Sequence, residues 1–230
     1  MLLFLAADRR EFAGLITFCR DVSKPELPVH WARTGRLNGQ EVLAIANGAG
    51  TERAAQAVEA AARAGALRGV CNTGFCGALD EGLSIGDVFA ATSVRFHGRE
   101  FRALPPVTKA HYAAGILESI DHVAGSAREK RQLRQTGAMA VEMEAGGAAA
   151  KAAELGLPFY CIRAVSDLAG ETFSCDFNAA LRADGQFDTT RLLTSAMRHP
   201  VSRFPELFRL QRRCAIASKN LGAFLAGCEF

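Results

Sequence analysis

No stretch of the 230 residues approaches the roughly 20 consecutive apolar residues that a membrane-spanning helix needs. The opening run Met1–Ala7 is apolar, but no basic region precedes it and Asp8-Arg9-Arg10-Glu11 cuts it short. It therefore reads as a first buried strand and not as a signal peptide. Strong charge is also lacking. A net charge of +3 with 22% charged residues is too mild a balance to point to nucleic acid, so a small-molecule partner is expected. Cys-x-x-Cys pairs are absent, and the seven cysteines, an odd number, are scattered over apolar runs, turns and helical segments. That pattern suits a reduced, cytoplasmic protein. Cys71 and Cys76 have no nearby histidine or third cysteine to complete a tetrahedral set, so no metal site is expected. Neither a Walker loop nor a Gly-x-Gly-x-x-Gly fingerprint occurs, and no internal repeat, low-complexity stretch or linker divides the chain.

What is present is a hydrophobic fraction of 49%, enough for one well-buried domain. Leu2–Ala6 reads as a strand, followed by a helix capped by Asp8 and running to about Cys19. Trp31–Leu37 and Glu41–Ala46 form a hairpin across Asn38-Gly39. A glycine turn, Asn47-Gly-Ala-Gly-Thr51, leads into an alanine-rich helix ending near Gly65, and free N–H groups at such a helix start can hold an anion or a sugar oxygen. Gly69–Asn72 is a short strand feeding a second glycine turn, Thr73–Leu79. Val88–Phe96 is a long strand, and His97–Pro106 reads as a mobile loop. A helix is expected over Val107–Leu117, a short strand over Ile120–Ala124, and a helix over Ser126–Arg134 with Ser126 and Glu129 as a capping pair. Helices close the chain at about Ala179–Ala183, Thr189–Met197 and Phe204–Leu225. The alternation gives an α/β fold: a single domain, residues 1–230, with a central, mostly parallel twisted sheet flanked by helices and a helical extension over about 188–230. Five arginines between Arg198 and Arg213 face one acid, Glu206. A basic amphipathic helix of that kind is either solvated, subunit-facing, or in peripheral contact with an anionic membrane.

The most informative stretch is Thr136–Lys151. Met139–Met143 is apolar except for Glu142 and runs into a small-residue helical segment, which sets Glu142 and Glu144 at a strand-to-helix junction. If the strand continues through both, two residues apart, their side chains leave the same face. Phe159–Val165 is a second buried strand that delivers Ser166 and Asp167 at its carboxyl end. Ligands bind outside that end of parallel strands, so these acids would share a crevice. Glu11, in the first turn after the first strand, reads on composition as an acid complementing a helix dipole. Carboxyl pairs without a metal cluster suit acid/base chemistry of the glycoside type, in which one acid protonates a leaving group and another activates a nucleophile.

Ala140-Val-Glu-Met-Glu-Ala145, Leu157-Pro-Phe159 with Arg163-Ala-Val-Ser-Asp167, Asn72-Thr-Gly-x-x-Gly-x-Leu79, Gly35-x-Leu-Asn-Gly-x-Glu-Val42 and Ala6-Ala-x3-Glu11 together resemble the nucleoside phosphorylase and nucleosidase superfamily. The likeness is to methylthioadenosine/S-adenosylhomocysteine nucleosidases and, second, to hopanoid-associated phosphorylases. It implies cleavage of the N-glycosidic bond of a purine nucleoside, with adenine as the expected base and no cofactor beyond phosphate as an optional co-substrate. By the resemblance, Asp167 is the general acid at purine N7, supported by Ser166. Glu144, with Glu142 beside it, binds the ribose hydroxyls, Met143 packs on the sugar, and Glu11 activates water. Val123 and Ala124 hold the base through backbone atoms, while Gly48, Gly74 and Phe75 line the nucleophile side. It also implies a homo-oligomer. Phe75 stands where the family often has serine, and the arginine-bearing phosphate motif near the N-terminus is absent, with Arg9, Arg10 and Arg53 as substitutes to consider. Water or phosphate as nucleophile, a lipid-linked adenosine as substrate, and a nucleoside-binding protein without catalysis all stay open.

Overall fold

The computed structural model describes all 230 residues, Met1–Phe230. β1 (Leu2–Ala6) is buried at every position. Asp8 then caps a 3-10 turn, Arg9–Phe12, as half of a capping box: its carboxylate accepts from the Arg10 N–H while Glu11 accepts from the Asp8 N–H. Only α1 (Ala13–Ile16) follows, so the helix expected to reach Cys19 is two short turns. Asp21, at φ 52°, lies within the edge strand β2 (Arg20–Ser23), where its pairing with the next strand is irregular.

β3 (Trp31–Leu37) and β4 (Gln40–Ala46) form the expected hairpin, with Asn38 and Gly39 both at positive φ as a primed turn requires. α2 (Thr51–Ala64) follows the glycine turn. β5 (Gly69–Ala78) corrects the next expectation, because the strand does not stop at Asn72 and the second glycine segment lies within it. The cause is tertiary: the last main strand pairs in parallel along almost its whole length, from Phe159↔Val70 to Asp167↔Gly77.

β6 (Val88–Phe96) and β7 (Arg99–Arg102) are joined by His97 and Gly98 at positive φ, so the expected loop over His97–Pro106 is largely a hairpin. The helix expected over Val107–Leu117 is absent. Val107 makes a bridge to Glu229, and β8 (Ala113–Ser119) pairs in parallel with β6. Sheet pairing here overrides a composition that reads equally well as helix. Ile120–Ala124 has no strand, and α3 (Ala127–Arg134) begins where Ser126 Oγ accepts from the Glu129 N–H. β9 (Ala140–Glu142), α4 (Ala145–Glu154) and β10 (Phe159–Asp167) form the strand–helix–strand unit expected around the acids. α5 (Phe177–Ala180), α6 (Thr189–Arg198) and α7 (Pro200–Ala226) complete the chain.

The sheet is mixed. β4, β1, β5 and β10 are parallel neighbours, as are β6, β8 and β9, while β2–β3–β4, β5–β9, β6–β7 and β6–β10 are antiparallel. Since β10 and β9 both pair with β5, the strands β5, β10, β6, β8 and β9 close into a ring. Alternate residues of β1 face opposite layers. Leu3 and Leu5 join Ala57 and Val58 of α2 and Ala148 and Ala152 of α4, whereas Leu2 and Phe4 join Phe12, Leu221, Phe224 and Leu225 on the α7 side. Each buried leucine or phenylalanine there stabilises the fold by about 1.5–3 kcal/mol.

Candidate active site

The carboxyl ends of β1, β5 and β10 lie at one end of the sheet, and the site is built on their last residues. Glu11 is 6% exposed although it sits in a surface-type turn. Its Oε2 accepts from the N–H groups of Ala7 (2.9 Å) and Asp8 (2.8 Å), and its Oε1 from Phe75 N–H (2.7 Å). The dipole-complementing acid is therefore also a bridge from β1 to β5. Burial raises its pKa above the usual carboxylate range, and its backbone hydrogen bonds and the Arg163 charge only partly offset this.

Gly74 explains the fit. At φ +126° it adopts a conformation that L side chains rarely take, and a Cβ there would lie 2.4 Å from Glu11 Oε1 and 3.0 Å from Arg163 Nη1. Phe75 gives Glu11 its N–H, while its ring packs against the α7-side core. Gly48, also at positive φ, is buried where a Cβ would meet Asp184 O at 2.5 Å, so the 184–185 turn covers that position.

Arg163 is the organising group that the motif contained without a role. It is fully buried in a strand of otherwise apolar neighbours, and its guanidinium donates to Thr73 O (3.0 Å), Asn72 Oδ1, Glu142 Oε2 and Glu144 Oε2 (3.4 Å). Burial alone would lower its pKa, but the Glu142 carboxylate, followed by other anions including Glu144 and Glu11, drives it higher still. Both Glu142 oxygens also accept from N–H groups at the start of α4: Oε2 from Glu144 (2.8 Å) and both from Ala145 (3.1 and 2.9 Å). Glu142 is therefore engaged by the Arg163 ion pair and the helix start. Strand geometry ends before Glu144, whose backbone is already helical, so the two acids do not share a strand face.

Glu144 is less committed. Its Oε1 accepts only a 3.3 Å bond from Gly50 N–H, at the glycine turn before α2, and its Oε2 meets Arg163. Burial first, then the Glu142 charge, raises its pKa well above the usual range. Met143 is buried between the two acids in sequence. At the end of β10, Ser166 Oγ donates to Asp167 Oδ1 (2.8 Å) and lies 3.2 Å from Cys76 O. Asp167 Oδ2 accepts from Lys130 Nζ, an ion pair across 37 residues that the sequence gave no reason to expect.

Val123 and Gly125 line a cavity of about 220 Å³ together with Phe173–Asn178. The Val123 backbone is already engaged, its N–H donating to Asn178 Oδ1 (2.7 Å) and its carbonyl accepting from Asn178 Nδ2 (2.9 Å). Ala124 instead faces a small cluster with Leu79, Ala138 and Val141. Of the three arginines weighed as anion holders, Arg10 is held by Asp8 and Arg53 by Ala183 O (2.6 Å), while Arg9 is exposed and makes no side-chain bond. Gly82-Leu-Ser-Ile-Gly86 has the spacing of a nucleophile elbow, but Ser84 is exposed in the turn between β5 and β6 and precedes no helix. Three near-buried carboxyl groups, two with raised pKa values, are an arrangement for moving protons without a side-chain nucleophile.

A model of the phosphorylase superfamily matches residues 2–127 and 111–197. A 5′-methylthioadenosine/S-adenosylhomocysteine nucleosidase of Staphylococcus aureus (strain JH9) is 30% identical over 177 residues, which are 64% of this chain and 78% of the relative. Among solved structures, the nucleosidase of that name from Neisseria meningitidis, in complex with methylthio-immucillin-A, superposes with a TM-score of 0.75 at 22% identity, over 98% of this chain and 96% of that one. The Colwellia psychrerythraea protein in complex with adenine gives 0.74 at 19% identity, over 98% and 93%.

Proposed function

The chain belongs to the phosphorylase superfamily, and within it we propose that it hydrolyses the N-glycosidic bond of an adenine nucleoside. The observation that carries this reading is the set Glu11, Glu144 and Asp167, near-buried acids from three separate segments gathered at one end of the sheet. Asp167, held by Ser166, donates a proton to purine N7, which neutralises the charge that builds up as the bond to C1′ breaks. Glu144, bound to protein by two long contacts, has lone pairs left for the ribose hydroxyls, with Met143 against the sugar. Glu11, raised by burial, takes the proton of an attacking water beside Gly74.

Water is favoured over phosphate because the buried cation near Glu11 is committed and Arg9, which makes no side-chain bond, is exposed to solvent. Arg163 serves two carboxylates and the β5 backbone, and Arg10 and Arg53 are tied elsewhere. The base enters at Val123, whose N–H and carbonyl present to it the donor–acceptor edge that the Asn178 amide now occupies. We place the enzyme in the cytoplasm, with its seven free cysteines in a reducing compartment, and as a homo-oligomer.

A second reading, a nucleoside carrying a lipid tail, is favoured by the helices over about 188–230. Met197, Val201 and Phe208 are 71%, 90% and 68% exposed beside the exposed Arg198, Arg209 and Arg212. Apolar side chains among cations suit contact with an anionic membrane surface. No helix is long and apolar enough to cross one.

The test is adenine release from adenosine, methylthioadenosine and S-adenosylhomocysteine, each with and without phosphate. Release independent of phosphate, falling at least 100-fold in Asp167→Asn, is expected. Release that requires phosphate would refute the nucleophile, and retention of activity within about tenfold, under about 1.4 kcal/mol, would refute the acid.

A further inference from the structure

Lys130 is 1% exposed, the largest burial of a free-amine side chain in the protein. Its ammonium donates to Asp167 Oδ2 and to Leu168 O (2.8 Å) and lies 5.4 Å from the centroid of the Phe173 ring. The other acids of this corner are engaged elsewhere. Glu129 takes His122 Nε2 and the Gly125 N–H, Glu171 takes Arg213 and the Leu168 N–H, and Glu206 takes the N–H groups of Ser174 and Cys175. Asp167 is thus the one carboxylate paired with Lys130, and a buried ammonium needs such a partner. An acid held as the counter-ion of an ammonium has no proton of its own to give. The proposed reaction nonetheless asks Asp167 for one.

Resting on the function proposed above, we infer that Lys130 is the positioning and proton-loading residue of Asp167: the proton delivered to the departing base is stored on the lysine. The bond from C1′ to the base breaks, and its electron pair enters the purine ring. N7 takes a proton from Asp167, and Asp167 takes one from the Lys130 ammonium, leaving a neutral amine. The water oxygen bonds to C1′ and its proton passes to Glu11. When the products leave, solvent carries that proton back to the lysine, so each turnover consumes one water and no net proton. Lysine suits the task because its amine can release a proton on burial or on a change of charge nearby, whereas a guanidinium cannot.

The test compares adenosine with 4-nitrophenyl β-D-ribofuranoside, whose leaving group departs without protonation. Lys130→Met is expected to lose at least 100-fold in kcat on adenosine and less than fivefold on the nitrophenyl riboside. Lys130→Arg, which keeps the charge but not the transferable proton, is expected to fail on adenosine too. Equal losses on both substrates, or recovery to within tenfold of wild type by arginine, would overturn the lysine's role alone. Wild-type protein that cleaves neither substrate would overturn the function and this inference together. If Lys130→Met loses its cooperative melting transition, the pH profiles of the wild type decide. A fall at alkaline pH on adenosine only supports proton storage on the lysine, and parallel profiles refute it.

Discussion

Replacing Gly74 by alanine tests the site at its tightest point. The new Cβ would stand 2.4 Å from Glu11 Oε1 and 2.9 Å from its Cδ, so the carboxylate must retreat by about 1 Å to reach ordinary van der Waals separation. The Phe75 N–H bond, now 2.7 Å, breaks with that movement, and a hydrogen bond to a charged group contributes about 1.5–3 kcal/mol. Left-handed backbone costs a further ~1–2 kcal/mol in a residue with a Cβ, offset by ~0.4–1 kcal/mol from the stiffer unfolded chain. A net loss of about 2–4 kcal/mol lowers Tm by roughly 4–16 °C in a protein of this size. A misplacement of about 1 Å at a reacting group costs on the order of 100-fold in rate. Gly39→Ala is the control, since Gly39 has φ +80° but nothing within 4 Å of its Cβ position. It should show the backbone cost alone, with adenine release unchanged. The assay is kcat for adenine release beside a thermal melt for each variant. Gly74→Ala protein that is folded and keeps activity within threefold would refute both the crowding at Gly74 and the base role of Glu11.

Arg163→Met leaves the buried Glu142 and Glu144 without their cation and should destabilise the protein by about 3–5 kcal/mol in urea titration. A change under about 1 kcal/mol would show that the ion pair contributes little. Because burial raises the Glu11 pKa, the acid limb of kcat/KM should lie above the ~4.3 of an ordinary glutamate, with activity lost as pH falls through it. The same shift makes folding less favourable above the unfolded value, so Glu11→Gln should remove both the limb and that loss of stability with rising pH. An unchanged limb in the variant would assign it to another group. Asn178→Ala frees the Val123 backbone and should lower KM several-fold if the base displaces that amide. A tenfold rise in KM would instead make Asn178 part of the binding surface.

The acids and the strands that carry them were legible in the chain, because a carboxylate inside an apolar strand-like run, as at Glu142 and Asp167, breaks a local pattern. The Asn38-Gly39 turn and the Ser126 cap were legible for the same reason: their chemistry acts within a few residues. The helix expected over Val107–Leu117 gives way to the strand Ala113–Ser119 because the composition there is neutral and pairing with β6 decides it. β5 outran its glycines because β10 lies alongside it.

What the sequence determined alone was therefore the α/β alternation and the family motifs, with the acids they carry, all features written in local residue order. Tertiary structure decided which acid was free. Glu142 and Glu144 are two residues apart, yet one is locked to Arg163 and the start of α4 while the other makes only two long contacts. It also brought Phe75 to Glu11 across 64 residues and Lys130 to Asp167 across 37. Such contacts leave no periodic mark in a chain, because desolvation and charge pairing depend on which residues meet in space and not on how far apart they lie in sequence.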